Sequence, residues 1–286
     1  MPISFFLQIL LNGLQLASVY ILTALGFTLI FGILHIVNIA HGNIYMLGGY
    51  AIWLLFAVLK VNYFLSLLIT IAIVSLVGFG IERVIFRRLQ GMVMPTIIAS
   101  IGLMQVLEQS TLIGFGTTEK IVPVPFPAML QFWGTVFPAQ RLMVMIIAIF
   151  LTAALVWWVQ KTKLGLALRA VAMDKETSSL YGVSPTRYGS LCFAIGCGLA
   201  GAAGGLVAPI FYVNPYMGNA PLLKIFIIII IGGLGSVPGT IFAGLLLGLI
   251  DSFVATLFDS VVAAMVGFAM VIVVLIIKPT GFLGHE

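Results

Sequence analysis

The sequence predicts an all-α membrane protein: a polytopic helix bundle of about eight transmembrane helices, with one or two interrupted segments and a short cytoplasmic helix. The composition supports this fold class. Of the 286 residues, 62% are hydrophobic and 7% are charged, and the mean hydropathy is +1.25. Soluble domains usually carry about 25% charged residues. This chain therefore has too little charge to cover a water-facing surface.

Long stretches without a charged residue supply the spans. They cover residues 2–59, 61–81, 142–160, 188–223, 225–250 and 260–277. A transmembrane helix needs roughly 20 apolar residues, so some of these stretches hold one helix and others hold two. We expect residues 1–286 to form a single transmembrane domain, with no room for a separate nucleotide-binding or catalytic domain.

The basic residues indicate which loops are cytoplasmic, because short cytoplasmic loops are enriched in Lys and Arg. One cluster lies at 83–88 and a second at 161–187. Two spans between them, near 93–115 and 142–160, put the proline-rich connection at 121–127 outside. Counting back through two ordinary spans puts the N-terminus outside as well, unless an interrupted helix near His41 reverses it. The net charge of +5 thus reflects loop placement, and no basic run suggests nucleic-acid binding.

The longest polar segment, residues 161–188, is expected to form a short amphipathic helix. Apolar residues recur there at helical spacing from Leu164 to Leu180, and Gly182 followed by Pro185 ends the pattern. Such a helix either lies flat on lipid or docks against a partner protein. The mixed charges, with Asp174 and Glu176 among basic residues, favour a protein partner over anionic lipid.

Two segments interrupt the apolar pattern. The first, residues 36–43, contains two amides, an imidazole and a glycine; the second, residues 232–239, contains four glycines and a proline. Unwound backbone at membrane depth is tolerated only where protein or a water-filled cavity satisfies it, and interrupted segments often mark a transport pathway. The alternative for each is an aqueous turn between helices. No internal sequence repeat is apparent.

The remaining polar groups suggest no catalytic or metal site. Glu108 and Asp251 are isolated acids in apolar stretches, placed either inside the bundle or near a membrane surface. His35, His41 and His285 are too dispersed for a metal site. Cys192 and Cys197 are expected to be packing residues within one helix, and the glycine-rich run at 196–205 is expected to serve close helix packing.

Several segments resemble LivH-type permeases of branched-chain amino-acid ATP-binding-cassette importers. They are GFTLIFGILHIVNIAHGNIYMLGGY at 26–50, GLALRAVAMDKETSSLYGVSPTRY at 165–188, the glycine-rich turn at 232–239 and the tail at 278–284. The tail departs from the usual pattern, with Lys-Pro-Thr where Arg-Pro-Gln is commoner. The resemblance extends over essentially the whole chain.

The resemblance implies a transport subunit in a bacterial cytoplasmic membrane, without a catalytic site, metal or cofactor of its own. Its implied partners are a second, LivM-type permease, two cytoplasmic ATPase subunits that bind ATP and Mg, and an extracytoplasmic binding protein. The implied cargo is leucine, isoleucine or valine, although relatives carry urea, short amides or ribose-type sugars. The resemblance also makes region 161–188 the coupling helix that contacts an ATPase. Its expected contact residues are Arg169, Asp174, Lys175, Glu176, Leu180, Tyr181 and Gly182.

A permease needs only a mildly polar path between outward-open and inward-open states, because selectivity would reside mostly in the binding protein. The candidate pathway residues are Asn12, Gln15, Asn38, His41, Gly42, Asn43, Gln105 and Glu108. The alternative function is an ion-coupled secondary carrier of a small polar solute, in which Glu108 or Asp251 would carry the coupling. The coupling helix argues against this alternative, because a stand-alone carrier has no use for it.

Overall fold

The computed structural model describes residues 3–132 and 134–284, and over these ranges the chain is a bundle of helices. In chain order they are α1 (Ile3–Leu34), α2 (His41–Ile52), α3 (Tyr63–Val84), α4 (Val93–Phe115), α5 (Ala139–Lys161), α6 (Lys163–Met173), α7 (Lys175–Leu180), α8 (Pro185–Val207), α9 (Asn219–Gly232), α10 (Val237–Leu257) and α11 (Ser260–Ile277). A π-helical segment, Trp53–Val58, continues α2, and a 3-10 turn, Phe86–Leu89, follows α3. The predicted all-α membrane bundle is confirmed.

Seven helices within the described ranges are long and apolar enough to cross a membrane: α1, α3, α4, α5, α8, α10 and α11. The expected number of about eight is approximate, because α2 and α9 are shorter than these helices and cannot be counted as full spans. Side chains at the helix starts define several boundaries. Asn62 caps α3, Ser236 caps α10 and Asp259 caps α11 by accepting backbone N–H groups.

A small β-hairpin lies in the connection between α4 and α5. Strands β1 (Met129–Phe132) and β2 (Thr135–Pro138) pair antiparallel. The all-α expectation did not include this hairpin. It follows the proline-rich connection that the charge pattern places outside, where a non-helical segment has water to satisfy its backbone.

Region 161–188 forms two helices and not the single amphipathic helix expected. Helix α6 ends at Met173, and Asp174 accepts hydrogen bonds from the backbone N–H groups of Glu176 and Thr177, which starts α7. An aspartate that caps a new helix also ends the preceding one, because its backbone leaves the helical conformation. The expected end at Gly182 agrees with its left-handed backbone, with φ of 80°.

Side-chain contacts give the depth of α2. Lys175 Nζ donates to the carbonyl of Leu34 at 3.5 Å, which places the C-terminal end of α1 on the cytoplasmic side. His41 Nε2 lies 3.2 Å from the carbonyl of Thr23, about 16 Å back along α1 at 1.5 Å per residue. The non-helical segment at 35–40 therefore runs from the cytoplasmic side to mid-depth, where α2 begins.

The start of α9 mirrors that of α2. Val213 pairs with Lys120 in the external loops, and Gly218 then lies against the backbone of Gly42 at mid-depth. After α9, Gly235 packs against Gly32 near the cytoplasmic end of α1. Helix α9 thus runs from mid-depth to the cytoplasm, while α2 runs from mid-depth to the outside. We call α2 and α9 the half-helices.

The two ends of the chain form an inverted repeat. Helices α1–α4 and α8–α11 have the same order, a long helix, a half-helix and two further helices, and each runs through the membrane opposite to its counterpart. The most extensive packing, between α1 and α10 and between α3 and α8, follows this relationship. Sequence inspection does not detect the repeat because apolar positions in a membrane accept many residue types.

The core confirms the packing role expected for the small residues. A side chain at Gly196 would collide with Gly26 of α1, and one at Gly201 would collide with Val74 of α3. Cys192 and Cys197 are buried and unpaired in α8. Among the described residues no cluster of metal-ligating side chains occurs; His285 lies outside them.

Candidate functional site

The cytoplasmic surface carries the first candidate site, the α6–α7 unit. Helix α6 buries Leu168 and Val171 against its neighbours. In contrast, Met173, Leu180 and Tyr181 are 88%, 86% and 84% exposed. The unit therefore rests on the bundle by one face and projects large apolar side chains from α7 and its flanks.

Hydrogen bonds hold this unit in a defined position. Arg169 donates to the carbonyl of Gln160 at 3.3 Å, and Lys175 donates to the carbonyl of Leu34 in α1. Asp174 accepts from the hydroxyl and the backbone N–H of Thr177, and these bonds lower the pKa of its carboxyl group. Burial lowers the pKa of His35, just after α1, and Lys175 nearby adds to the effect. Glu176 and Gly182 are exposed.

The interrupted segment before α2 is the second candidate, and it is more buried than a water-filled path would require. Asn38, His41 and Asn43 are each at most 1% exposed. Asn43 donates to the carbonyl of Met104 at 3.2 Å. Both amide atoms of Asn38, His41 Nδ1 and Asn43 Oδ1 have no hydrogen-bond partner among the described residues. This buried polar cluster lies where the half-helices meet.

The other predicted pathway residues are scattered. Asn12 accepts a hydrogen bond from Arg141 at 3.0 Å. Gln105 is exposed on the outer face of α4. Glu108 is buried and makes no ion pair or hydrogen bond to a residue that the structure describes. Of the candidates, Gln15 lines a cavity.

That cavity has a volume of about 270 Å³ and lies between α1, α2, α9 and the connection that follows α8. Its outer part is lined by the exposed side chains of Phe211 and Tyr212, so it opens toward the outside. Its inner part reaches Thr23, whose carbonyl lies 3.2 Å from His41 at the start of α2. Small-molecule sites typically have volumes of roughly 300–1,000 Å³, so this cavity lies just below the lower end of that range and has room only for a small ligand.

An ion pair forms part of the cavity wall. Lys224 Nζ lies 2.7 Å from Asp251 Oδ2, and the hydroxyl of Tyr20 donates to the same carboxylate oxygen at 3.0 Å. Lys224 and Tyr20 line the cavity directly. Asp251 was among the polar groups singled out from the sequence, whereas Lys224 was not. A single lysine that separates two long apolar stretches was the signal that could have identified it.

A second buried ion pair was also overlooked. Glu82 is fully buried at the cytoplasmic end of α3 and lies 3.3 Å from Arg87. Both side chains bond the hydroxyl of Ser190 at the start of α8. This cluster joins α3 to α8, one of the two most extensively packed helix pairs, and none of its residues lines the cavity.

Comparison with known proteins connects these features to one family. The family model described as "Branched-chain amino acid transport system / permease component" matches residues 9–276. The chain belongs to this permease family. The resemblance to LivH-type permeases is thereby confirmed.

Individual relatives match the permease along almost its entire length. The high-affinity branched-chain amino acid transport system permease protein BraD of Pseudomonas aeruginosa is 32% identical, covering 98% of this chain and 96% of the relative. The LivH protein of Escherichia coli is 30% identical with the same coverage. A probable LivH protein of Methanocaldococcus jannaschii is 24% identical over 98% of this chain and 93% of its own. No solved structure matches the permease.

Proposed function

We propose that this chain is the membrane-spanning permease subunit of an ATP-binding-cassette importer for leucine, isoleucine and valine in a bacterial cytoplasmic membrane. The observation that carries the proposal is its family membership along the whole chain, together with relatives described as branched-chain amino acid permeases. The bundle of apolar helices agrees with that role.

The chain itself would perform no covalent chemistry. It alternates between an outward-open and an inward-open state, and the ATPase subunits, which bind ATP and Mg, stabilise one state over the other. A ligand shifts such an equilibrium only by its differential affinity for the two states. The external opening of the cavity at Phe211 and Tyr212 corresponds to an outward-open arrangement.

The α6–α7 unit supports the coupling role. A partner that closes over it would bury Leu180 and Tyr181, which no part of the described chain covers. Exposed apolar patches rimmed by polar residues commonly mark protein interfaces. The hydrogen bonds of Lys175 to α1 and of Arg169 to α5 fix the unit against these helices, so that displacement by an ATPase would be transmitted to the membrane helices.

The remaining proposed partners are a second, related permease and an extracytoplasmic binding protein. Helices α4, α5 and α11 present largely exposed apolar faces, which lipid and the second permease would share. The binding protein would deliver substrate to the external loops around the hairpin.

The alternative of an ion-coupled carrier has less support. Asp251, one of its two coupling candidates, is already held by Lys224 and Tyr20. Urea and amides are the other alternative cargoes, and they are uncharged.

Uptake into proteoliposomes tests the proposed function. The chain is co-expressed with its ATPases and second permease. Leucine uptake should require ATP on the side of the membrane where the ATPases lie, and it should require the binding protein. Ionophores that collapse proton and sodium gradients should have no effect. Uptake by the chain alone, abolished by ionophores, would overturn the proposal.

A further inference from the structure

The cavity between α1, α2 and α9 combines an apolar wall with a small set of polar groups. Val19, Met217 and Ile225 supply apolar surface, and Lys224, a charged residue, is part of the lining. This combination of a mostly apolar pocket with a few placed polar groups is typical of ligand sites. A simple packing defect would lack the charge.

Two buried polar side chains also line the cavity without a partner. Gln15 and Tyr45 are each 3% exposed and line the cavity. The Gln15 amide and the Tyr45 hydroxyl make no hydrogen bond to any residue in the described ranges. Their polar atoms are therefore available to form hydrogen bonds with a ligand that enters the cavity.

Electrostatics in the cavity favours an anionic group beside Lys224. Its ammonium group has three donors. Asp251, which is not part of the cavity lining, contacts it through both carboxylate oxygens, so that a third donor remains for a ligand. Helix α9 begins next to it, with Ala220 and Pro221 in the cavity wall and no side chain capping the helix start. The N-terminal end of a helix carries partial positive charge, which adds to that of Lys224.

We propose that this cavity is a transient binding site for the zwitterion of an aliphatic amino acid, formed by this single subunit. Lys224 donates to the carboxylate, Gln15 and Tyr45 accept hydrogen bonds from the ammonium group, and the apolar wall holds the branched side chain. Asp251 and Tyr20 hold Lys224 in position. This inference rests on the proposed function, and it assigns the substrate contacts that the family membership leaves open.

Thiol protection tests the site directly. Ala220 is exposed in the cavity wall, and Ala220→Cys places a thiol there. The variant is made in a background with Cys192→Ala and Cys197→Ala and is studied in the complete assembly in vesicles. A water-soluble maleimide should label the new thiol, and L-leucine should protect it. Thr117→Cys in the external loop is the control, and its labelling should not depend on leucine.

The ligand panel identifies the chemistry. The half-protecting concentration should be at least about tenfold lower for leucine than for two analogues. These are isoamylamine, which lacks the carboxylate, and 4-methylpentanoate, which lacks the ammonium group. Urea and acetamide should not protect. Equal protection by leucine and isoamylamine, or no protection by leucine, would overturn the inference.

A double substitution separates binding from folding. Lys224→Met with Asp251→Leu replaces a buried ion pair by apolar groups, which is often neutral for stability. The half-protecting leucine concentration should rise about tenfold or more, while co-purification and thermal stability persist. Glu82→Leu with Arg87→Met is the matched control and should leave leucine protection unchanged. An unchanged protection curve in the Lys224 variant would contradict the site.

The proposed function is judged separately, by ATP-driven uptake of the unsubstituted assembly in the same vesicles. ATP-driven leucine uptake without leucine protection of the Ala220→Cys thiol would reject the cavity site alone. Absence of ATP-driven uptake would reject the proposed function, whatever the labelling showed.

Discussion

Gly42 and Gly218 lie backbone to backbone at mid-depth, where half-helices α2 and α9 begin. A Cβ atom on either residue would collide with the carbonyl of the other. Glycine is therefore required on both sides, since any side chain would separate the helix starts. This contact brings the buried polar cluster of Asn38, His41 and Asn43 next to the start of α9.

Substitution at this contact should disrupt the fold. Gly42→Ala or Gly218→Ala forces the half-helices apart, and overpacking of this kind costs roughly 1–3 kcal/mol. We expect a lower melting temperature and loss of uptake, measured by fluorescence size-exclusion after heating and by vesicle transport.

A glycine without close neighbours provides the control. Gly102 lies in α4, and a Cβ atom there would have nothing within 4 Å. Gly102→Ala should leave the melting temperature unchanged or slightly higher, because alanine favours helix over glycine. Equal losses in Gly42→Ala and Gly102→Ala would refute the requirement for close backbone contact.

The buried pair of Glu82 and Arg87 should matter for stability. Arg87→Ala leaves the carboxylate of Glu82 buried with only Ser190 and Gln90 near it. Removing one partner of a fully buried pair costs roughly 3–5 kcal/mol, and we expect about 1–3 kcal/mol here because the Arg87 side chain is 33% exposed. Thermal denaturation measures the loss. Arg88→Ala, at an exposed position on the same turn, should have little effect, and a similar loss there would contradict the assignment.

Asp174 should act on coupling through the shape of the α6–α7 unit. Asp174→Ala removes the cap of α7, whereas Asp174→Asn keeps a side-chain oxygen that accepts the same N–H groups. We expect reduced ATPase stimulation in the alanine variant and near-normal stimulation in the asparagine variant. Since hydrogen bonds lower the pKa of this carboxyl group, its contribution to stability is present above the ordinary aspartate pKa. That contribution is lost only as the pH falls through the lowered pKa of Asp174 in the folded state. Titration of Asp174 should therefore not change coupling near neutral pH.

Equal loss of stimulation in the alanine and asparagine variants would indicate that the charge of Asp174 itself contacts the ATPase. The family resemblance implied that role for Asp174, and it stays a prediction. The expectation of a single helix was wrong, because apolar spacing continues across residue 174 and only the hydrogen bonds of its side chain end one helix and start the next.

The sequence was a sufficient guide wherever a property is local. Long uncharged stretches identify spans, and the glycine and proline at 182 and 185 identify the end of α7; the cytoplasmic side assigned from the basic clusters stays a prediction. These features follow from the physics of lipid solvation and backbone conformation, which each segment obeys on its own.

Properties that depend on distant residues were not predictable in the same way. Lys224 and Asp251 belong to different helices, and neither residue alone reveals the ion pair. Asn12 and Gln105 resembled Gln15 in sequence, but α1 and α4 turn them toward Arg141 and the outer surface. The inverted repeat was hidden for the same reason, since it exists in helix direction and packing and not in residue identity.

The exposed apolar tip of α7 provides the sharpest test of docking. Leu180 is almost fully exposed and makes no contribution to the core, so Leu180→Asp should not affect membrane insertion, thermal stability or pairing with the second permease. Burial of this leucine in an ATPase cleft would contribute roughly 1.5–3 kcal/mol, equal to about a ten- to hundredfold change in association. We therefore expect Leu180→Asp to abolish uptake and binding-protein-stimulated ATPase activity.

The control is Leu234→Asp, because Leu234 is also an exposed leucine at the cytoplasmic end, in the turn between α9 and α10. It lies outside the α6–α7 unit, so coupling should persist. A helix that only floats on lipid predicts normal stimulation in both variants, and that result would exclude docking through α7. Docking through α7 predicts a loss of stimulation in Leu180→Asp only. An equal loss in Leu180→Asp and Leu234→Asp would instead indicate a general disturbance of the cytoplasmic surface.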